Sequence, residues 1–387
     1  MNHFISQRTK HALQIIHDYK GQVPLHHYLK QYYRLHKNMG SKDRKSCSEL
    51  VYSYYRIGNA LQVEESQKLM YAAFLSAEQG LEFLFEEAAE LKRHLNKSLL
   101  EKIEVLKEML DFRMEQLLPF ESSITEQLNM ENFRLSMLIK PRTFIRLKSQ
   151  DVERAVNFLS SNEISFRQES ENCLSFEQRL NITDIIPQSI PYEIQDLSSQ
   201  QTATFLKTQG KEHWLDCCAA SGGKTLLLFQ ENNEIQITAT DIRASILENY
   251  EERMKKNGFQ NFSTQVWDAS SSEELKSMHQ FDGIVADVPC SGSGTWSRHP
   301  EQITFFDPEK INYYQSTQKS IVKNAVNFLK PGGKLVYITC SVFSKENEEV
   351  SRYIQFELGL TLTEQKYLIG SERQSDTMFV ASFKNQP

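Results

Sequence analysis

The sequence contains no apolar run that approaches the ~20 residues a membrane helix needs. Its first ten residues are mostly polar and basic and lack the apolar core of a signal peptide, so we expect no secretory leader. Only six cysteines occur in 387 residues, and no two form a Cys-x-x-Cys pair, which disfavours a disulfide framework and a structural zinc site. We therefore expect reduced thiols, a cytoplasmic location, no membrane partner and no bound metal.

The chain also lacks a net positive charge. Its formal net charge of −6 argues against a nucleic-acid partner. The charges are unevenly placed, however, because residues 1–60 contain ten Lys and Arg against three Asp and Glu, and residues 61–130 contain seven against fourteen. This basic N-terminal segment predicts contacts of Lys42, Arg44 and Lys45 with nucleic-acid phosphates, although a solvated helix face would give the same counts.

Neither internal repeats nor a low-complexity linker divides the chain, so domain limits rest on changes in hydrophobic periodicity. Apolar residues recur at helical intervals from about residue 7 to residue 115, which predicts an all-α domain over residues 1–117. Strand-like and helical pieces alternate over residues 118–198, with a strand at 143–147 and a helix at 152–159. These pieces predict a small α/β domain.

From residue 199 to residue 387 the pattern becomes strand–helix–strand. That alternation predicts an α/β fold with a mostly parallel sheet and helices on both faces. The expected strands are His213–Cys217, Ile235–Asp241, Phe262–Trp267, Phe281–Asp287, Lys334–Thr339 and Thr377–Phe383, and the clearest helices are Ala244–Asn257 and Pro308–Phe328. Open sheets of this class bind ligands at the carboxyl ends of their strands, so functional residues are expected there.

A glycine-containing turn follows the first of these strands. Ser221-Gly222-Gly223 lies between a strand and a helix, where missing Cβ atoms let the backbone approach a ligand. Asp241 ends the next strand nineteen residues after Gly222, a position from which a carboxylate binds ribose hydroxyls. Asp268 ends the third strand, where it could accept the amine of an adenine. This order predicts an adenosine-bearing cofactor, and a P-loop is disfavoured because its pattern requires glycine in place of Cys218.

Two cysteines lie in short motifs at strand ends. Cys290 belongs to Asp287-Val288-Pro289-Cys290-Ser291-Gly292-Ser293-Gly294-Thr295, and Cys340 belongs to Tyr337-Ile338-Thr339-Cys340-Ser341. Proline and glycine turn the chain sharply around Cys290, which an inert buried cysteine does not require, so both thiols are candidate nucleophiles. Cys217 and Cys218 are expected to pack as small hydrophobic residues, and Arg298 is either a phosphate contact or a solvated loop residue.

At these motifs the chain resembles the RsmB/Sun (Fmu) family of S-adenosylmethionine-dependent RNA cytosine-5 methyltransferases. Its turn is similar to the family's cofactor turn, with Ser221 in place of the usual proline, and reads Asp216-x-Cys218-Ala219-Ala220-x-Gly222-Gly223-Lys224-Thr225. Asp241, Asp268 and Asp287 match the family's three acidic positions. Cys290 matches the Asp-x-Pro-Cys motif and Cys340 the Thr-Cys-Ser motif. The segment Asp376-Thr377-Met378-Phe379 departs from the family's Asp-Gly-Phe-Phe.

The resemblance implies a class I (Rossmann-like) methyltransferase domain with a mostly parallel seven-stranded sheet over residues 199–387. It implies that S-adenosylmethionine is bound by Cys218, Ala219, Ala220, Ser221, Gly222, Gly223, Lys224, Asp241, Asp268 and Asp287. It also implies a NusB-like RNA-binding domain over residues 1–117 and an RRM-like domain over residues 118–198, with Arg142 and Arg146 as RNA contacts. Small-subunit ribosomal RNA is favoured over transfer RNA as the partner, and the chain is expected to be a monomer.

The same resemblance assigns roles to the site residues. Cys340 is expected to add to carbon 6 of a cytosine, which enables carbon 5 to accept a methyl group, and Cys290 is expected to assist proton removal and release. Asp287 is expected to hold the edge of the cytosine ring, and the base must lie outside a helix to reach these groups. A catalytically silent RNA-binding assembly factor, and the same chemistry on transfer RNA, stay open as alternatives.

Overall fold

The structure, a computed structural model of the 387-residue chain, describes residues 7–76, 82–85, 88–118, 120–177, 180–271, 275 and 280–386. The chain divides into two compact units. The helical unit comprises Met1–Ser122, Asn129–Lys140 and Trp296–Asp307, and the sheet unit comprises Ser123–Leu128, Pro141–Thr295 and Pro308–Pro387. Within the described residues, no helix combines the length and the apolar character that a membrane span requires.

The helices and strands of the described residues are numbered in chain order. The helices are α1 (Gln7–Asp18), α2 (Leu25–Leu35), α3 (Ser41–Arg56), α4 (Glu65–Ser76), α5 (Ala89–Lys92), α6 (Leu99–Met109), α7 (Met130–Leu138), α8 (Ser149–Ser161), α9 (Ile182–Ile185), α10 (Leu197–Gln201), α11 (Gly223–Glu231), α12 (Ala244–Lys256), α13 (Glu301–Phe305), α14 (Glu309–Val326) and α15 (Glu348–Phe356). The strands are β1 (Thr143–Leu147), β2 (Arg167–Ser170), β3 (Cys173–Phe176), β4 (Tyr192–Ile194), β5 (His213–Asp216), β6 (Gln236–Asp241), β7 (Phe262–Val266), β8 (Phe281–Asp287), β9 (Leu329–Thr339), β10 (Thr361–Leu368) and β11 (Met378–Lys384).

The helical unit is built from α1 to α7 and α13. Apolar residues at helical spacing form its core: in α2, Leu25, Leu29 and Tyr32 share one face and are buried. Helix α6 begins at a capping box, in which the side chains of Ser98 and Glu101 each bind the backbone amide of the other. The all-α character predicted for this unit is confirmed over the described residues.

Residues 296–307 follow the Cys290 motif in sequence but fold into the helical unit. The ring of Phe305 lies 5.4 Å from the ring of Tyr19 and 5.7 Å from that of Tyr55. A guanidinium nitrogen of Arg56 donates to the carbonyl of Ser297 at 2.6 Å. The sequence did not predict that residues 296–307 join the helical unit, because a twelve-residue segment is too short to show a periodicity of its own.

The sheet unit contains a seven-stranded sheet in the order β10-β11-β9-β8-β5-β6-β7. Strands β5 to β9 pair in parallel, and β11 runs antiparallel between β9 and β10. Ile284, Val285 and Ala286 of β8 are fully buried, as expected for a central strand covered on both faces. One hydrophobic cluster joins the sheet to α14 and α15, and a second joins it to α11 and α12.

A smaller antiparallel sheet of the sheet unit has the order β2-β3-β1-β4. Helix α8 packs on it through Ala155 and Leu159, which share a buried cluster with Ile145 and Phe176. The predicted strand at 143–147 and helix at 152–159 are thus confirmed as β1 and the central part of α8.

The large sheet confirms the predicted fold class, a Rossmann-like methyltransferase fold. The six expected strands are present, with bounds that differ by a few residues. Strand β10 was missed, because most of its side chains are exposed and its sequence, Thr-Leu-Thr-Glu-Gln-Lys-Tyr-Leu, has the polarity of a loop. The predicted domain limits near residues 117 and 198 stay predictions.

Candidate active site

Five chemically distinctive residues lie at the carboxyl ends of the parallel strands. Asp216, Asp241 and Asp287 end β5, β6 and β8, and Cys340 directly follows β9. Asp268 lies two residues beyond β7. Because parallel strands end on one edge of a sheet, this topology collects these residues along a single rim.

The turn between β5 and α11 is shaped by its backbone. Gly222 has a φ of +85°, and a Cβ atom there would lie 2.5 Å from Cε of Met254 and 2.8 Å from Cδ2 of Tyr250. Ala220 also adopts a positive φ, +47°. The amide of Gly222 donates to the carbonyl of Ala219 at 2.8 Å, which closes the turn. Only glycine satisfies both the backbone angle and the space at position 222.

Asp241 ties this turn to the neighbouring strand. One carboxylate oxygen accepts the amide of Ala220 at 3.1 Å, and both oxygens accept donors from Arg243 at 2.9–3.1 Å. Burial raises the pKa of the Asp241 carboxyl, but the hydrogen bonds from Arg243 outweigh burial and hold that pKa below its ordinary value. Asp241 therefore carries a negative charge at neutral pH. Asp268, by contrast, is half-buried and accepts the amide and hydroxyl of Ser270 in its own loop.

Lys224 and Asp287 form an ion pair in the site. The ammonium group of Lys224 lies 2.9 Å from a carboxylate oxygen of Asp287 and donates to the hydroxyl of Ser199 at 3.0 Å. The Lys224 side chain is 7% exposed, whereas that of Asp287 is 31% exposed. Lys224 therefore fixes one side of the Asp287 carboxylate, and the exposed side is open to a ligand.

Cys290 and Cys340 are brought together from loops fifty residues apart, with their sulfur atoms 3.2 Å from each other. Both are half-buried. The shared contact with Cys340, together with burial and the nearby Glu346, raises the pKa of the Cys290 thiol well above its ordinary value. Cys290 is therefore a neutral thiol at neutral pH and can donate a hydrogen bond to the Cys340 sulfur.

The buried side chain of Glu346 binds both cysteine loops. The sequence analysis did not identify this residue. Its carboxylate accepts the amide of Ser291 at 2.9 Å, the hydroxyl of Ser341 at 2.8 Å and the side-chain amide of Gln318 at 2.9 Å. Burial raises the pKa of Glu346, which is fully inaccessible to solvent. The only hint in the sequence is that a serine follows each cysteine.

Gly294 completes the contact between the loops. Its amide donates to the carbonyl of Cys340 at 2.9 Å, and its carbonyl accepts the amide of Thr377 at 2.9 Å. A Cβ atom at Gly294 would lie 1.9 Å from the Thr377 carbonyl oxygen. The Asp376-Thr377 segment, where the sequence departs from the family pattern, is therefore packed against the Cys290 loop.

Asp216 is a buried carboxyl beneath the cofactor turn. It is 1% exposed, and one of its oxygens accepts the hydroxyl of Thr225 at 2.7 Å. Burial raises the pKa of Asp216 to about 7. Cys217 is buried beside it, and Cys218 is half-buried against the same core, as their expected hydrophobic role requires.

The expected RNA-contact residues differ in exposure. Lys42 and Lys45 are exposed, and Arg44 and Arg298 are half-buried. Arg142 is only 5% exposed, and its guanidinium donates to the hydroxyl and carbonyl of Ser175. This burial disfavours an RNA contact from Arg142, because its donors already bind inside the small sheet.

A basic groove on the helical unit lies between α2 and α3. It encloses about 620 Å³ and is lined by four cations, Lys30, Arg34, Lys37 and Arg44. No acidic side chain is among the described residues that line it. The sequence analysis found Arg44 but missed Lys30 and Arg34, which lie one turn apart on α2, and Lys37, which follows that helix.

Most of the sheet unit is similar to proteins of a known family. The family of 16S rRNA methyltransferases RsmB/F matches residues 203–384. A ribosomal RNA small subunit methyltransferase B of Vibrio vulnificus is 34% identical over 182 residues, which is 47% of this chain and 41% of that protein. The enzyme of the same name from Salmonella arizonae is 33% identical over 197 residues, 49% of this chain and 46% of its own. The chain thus matches less than half the length of these curated relatives.

Solved structures show the same fold at low sequence identity. The crystal structure of PH0851 covers 97% of this chain and 97% of its own, with a TM-score of 0.69 and 18% identity. A methyltransferase homolog from Pyrococcus horikoshii covers 76% of this chain and 97% of its own, with a TM-score of 0.57 and 21% identity. The family match and the order of the strand-end motifs agree, and residues 203–384 are similar to the 16S rRNA methyltransferases RsmB/F.

Proposed function

We propose that this protein transfers the methyl group of S-adenosylmethionine to carbon 5 of a cytosine in RNA, with small-subunit ribosomal RNA as the substrate. The observation that carries the proposal is the pair of thiols 3.2 Å apart on the sheet rim that also holds the cofactor turn. Methyl transfer to carbon 5 needs a nucleophile that activates the ring and a second group that helps to release it. Two adjacent thiols supply both.

The turn after β5 fits the proposed cofactor. The turn keeps its path over α12 because Gly222 has no Cβ to meet Met254 and Tyr250, and Asp241 beside the turn is a charged acceptor for the ribose hydroxyls. Two of the donors that Asp241 binds come from the side chain of Arg243, which is 57% exposed and can move aside for a ribose. S-adenosylmethionine supplies the methyl group when bound, and Asp268 is placed to accept the adenine amine.

The chain's own groups then act on the cytosine. The thiolate of Cys340 adds to carbon 6, and the electron density this leaves at carbon 5 forms the new bond to the methyl carbon. The carbon 5 proton passes to solvent, the electron pair of that C–H bond re-forms the ring double bond, and the Cys340 sulfur leaves as a thiolate. Cys290 assists this release from 3.2 Å away, and Asp287, oriented by Lys224, accepts a hydrogen bond from the ring edge.

The groove between α2 and α3 supports the RNA substrate. Four cations, with no carboxylate among the described lining residues, attract phosphates, and Tyr33 and Tyr52 in the same groove provide surfaces for bases. The basic residues predicted from the sequence lie on the same pair of helices. Lys42, Arg44 and Lys45 therefore extend the groove as proposed phosphate contacts.

The two cysteine roles are tested by trapping the covalent adduct. With small-subunit ribosomal RNA and labelled cofactor, Cys340→Ala should lose methyl transfer and any RNA adduct. Cys290→Ala should form an adduct and stall, because attack proceeds and release does not. A denaturing gel would show the adduct as a slow, nuclease-sensitive band that the double variant lacks.

The control is Cys47→Ala, which removes a thiol far from the site in sequence and should keep methyl transfer. An adduct in Cys340→Ala and none in Cys290→Ala would exchange the two roles. A wild-type protein that binds ribosomal RNA but transfers no methyl group would support the silent assembly factor instead. Methylation of transfer RNA alone would show that transfer RNA is the substrate and would leave the proposed reaction unchanged.

A further inference from the structure

The two sulfur atoms of the candidate active site lie close enough for a small movement to join them. Cys290 and Cys340, which we call the thiol pair, are free cysteines with their sulfur atoms 3.2 Å apart. Because the sulfur atoms of a disulfide are about 2.0 Å apart, they need to approach by only about 1.2 Å to bond. Both side chains are half-buried, so small molecules in solvent can reach the thiol pair.

The backbone is tied together on both sides of the thiol pair. Strands β8 and β9 pair in parallel as far as Asp287 and Ile338, and the amide of Val288 donates to the carbonyl of Ile338 at 3.1 Å. Beyond the cysteines, the amide of Gly294 donates to the carbonyl of Cys340 at 2.9 Å. Neighbouring strands lie about 4.8 Å apart, and a disulfide accepts about 4.4–6.8 Å between its Cα atoms. The two loops therefore leave the sheet at a separation that suits a disulfide.

The four other cysteines, all among the described residues, are less suited to oxidation. Cys47, Cys173 and Cys217 are at most 1% exposed. Cys218 is half-buried, but its contact with Cys217, together with burial, raises the pKa of its thiol well above the ordinary value. A protonated thiol reacts slowly with oxidants, because the thiolate is the reactive form. We therefore expect oxidation to begin at the thiol pair.

Within the thiol pair, Cys340 is expected to react first. This order rests on the proposed function, in which Cys340 attacks cytosine as a thiolate, the form that peroxides oxidise. The contact with Cys340, together with burial, raises the pKa of the Cys290 thiol, so Cys290 keeps its proton while Cys340 is charged. Oxidation of Cys340 to a neutral sulfenic acid removes that charge. Cys290 then lies next to the oxidised sulfur and can attack it.

We propose that the thiol pair is a modification site at which hydrogen peroxide forms a reversible disulfide between Cys290 and Cys340. The thiolate of Cys340 attacks one peroxide oxygen, the O–O bond breaks, and hydroxide leaves behind a sulfenic acid. The Cys290 sulfur then attacks the Cys340 sulfur, the S–O bond breaks, and the departing hydroxide takes the Cys290 proton as water. Counted from two thiols, the pair is oxidised to a disulfide and hydrogen peroxide is reduced to two molecules of water.

The disulfide both stops the reaction and protects the nucleophile. While the Cys340 sulfur is bonded to Cys290, it cannot add to carbon 6 of a cytosine. The disulfide also keeps Cys340 at an oxidation level that added thiols reverse, whereas an unpaired sulfenic acid reacts with more peroxide to an irreversible sulfinic acid. Cys290 thus has a second role, which is separate from its proposed assistance in product release.

The first experiment detects the disulfide itself, without RNA or cofactor. The reduced wild type is treated with a small excess of hydrogen peroxide and denatured, and its free thiols are alkylated and counted by mass spectrometry. The count of six thiols should fall by two, and a disulfide-linked peptide pair should contain Cys290 and Cys340. The control, Cys47→Ala, lacks a buried thiol and should form the same link. An unchanged thiol count, or a link through Cys218, would overturn the proposal.

Cys290→Ala tests whether Cys290 protects Cys340. After peroxide and then dithiothreitol, the wild type should regain the free Cys340 thiol. In the variant, the peptide that contains Cys340 should keep the mass of two added oxygen atoms, because dithiothreitol does not reduce a sulfinic acid. Equal recovery of the Cys340 thiol in both proteins would overturn the protective role. Cys290→Ser, which keeps the side chain small but cannot form a disulfide, repeats the test if the alanine variant does not fold.

Calorimetry and methyl transfer keep this inference apart from the proposed function. The oxidised wild type should bind S-adenosylmethionine as tightly as the reduced protein but transfer no methyl group until dithiothreitol is added. Loss of cofactor binding on oxidation would show that peroxide disrupts the fold, and would overturn the proposed effect on the nucleophile. If the disulfide forms but the reduced protein methylates no RNA, only the proposed activity is rejected. If the reduced protein methylates RNA but the two thiols do not pair, only the disulfide is rejected.

Discussion

The cofactor turn and the two cysteine loops lie on one rim of the sheet but are held in place by different means. The turn depends on its own backbone, with a positive φ at Gly222 and no room for a Cβ. The cysteine loops depend on a buried carboxylate, Glu346, which binds the serines that follow Cys290 and Cys340. A loop whose shape is set by its own backbone can be recognised from its own residues. A loop that a distant side chain holds in place cannot be recognised in that way.

The largest expected effect is on the cofactor turn. In Gly222→Ala the new methyl group meets Met254 at 2.5 Å and Tyr250 at 2.8 Å, and the backbone angle of +85° is unfavourable for alanine. We expect a loss of about 2–5 kcal/mol in the free energy of unfolding and no measurable cofactor binding by calorimetry.

Gly210→Ala is the matched control for this prediction, because Gly210 has a φ of +52° and no atom within 4 Å of its added Cβ. It should cost only the backbone strain of about 1–2 kcal/mol and leave cofactor binding intact. Equal effects of the two substitutions would show that steric exclusion at Gly222 is unimportant.

The next effect is on the cysteine loops. Glu346→Ala leaves the amide of Ser291 without its acceptor and removes one of the two acceptors of the Gln318 side chain, so both loops can shift. We expect methyl transfer to slow by about a hundredfold, the typical result of displacing reacting groups by about 1 Å. Affinity for S-adenosylmethionine, measured by calorimetry, should stay the same.

Glu346→Gln should recover most of this rate, because its oxygen accepts the same two donors and its amide can donate to Ser341. Glu357→Ala serves as a surface control, because Glu357 is exposed at the end of α15. If the alanine variant of Glu346 keeps the wild-type rate, the cysteine loops do not need the buried carboxylate, and the contrast with the cofactor turn disappears.

The smallest effect concerns Asp216, which lies beneath the cofactor turn. Its pKa of about 7 in the folded protein exceeds the ordinary value of 3.8, so folding favours its protonated form. The stability that it contributes is present below about pH 4 and is lost as the pH rises to 7 and above. Asp216→Asn should therefore flatten the fall in urea midpoint between pH 4 and 8, and an unchanged pH profile would refute the raised pKa.

Much of the sheet unit was predictable, because strands and turns follow local rules. A buried parallel strand such as Phe281–Asp287 has an apolar centre, Ile284-Val285-Ala286, and Gly222 and Asp241 keep the spacing predicted for a cofactor turn. Strand β10 was missed for the opposite reason: it lies at the sheet edge, and its polar side chains face solvent. No local sequence pattern indicated that residues 296–307 fold into the helical unit.

The sequence alone determined most of the strands and helices of the large sheet, the glycine turn and the place of two thiols at strand ends, since each depends on residues close together in the chain. Only the tertiary structure decided that Cys290 and Cys340 meet at 3.2 Å and that Glu346 holds them. It also decided that Arg142 donates to Ser175 inside the small sheet, whereas the terminal nitrogens of Arg146 are buried with no hydrogen-bond partner among the described residues. These properties depend on burial and on partners many residues away, which composition and periodicity do not encode.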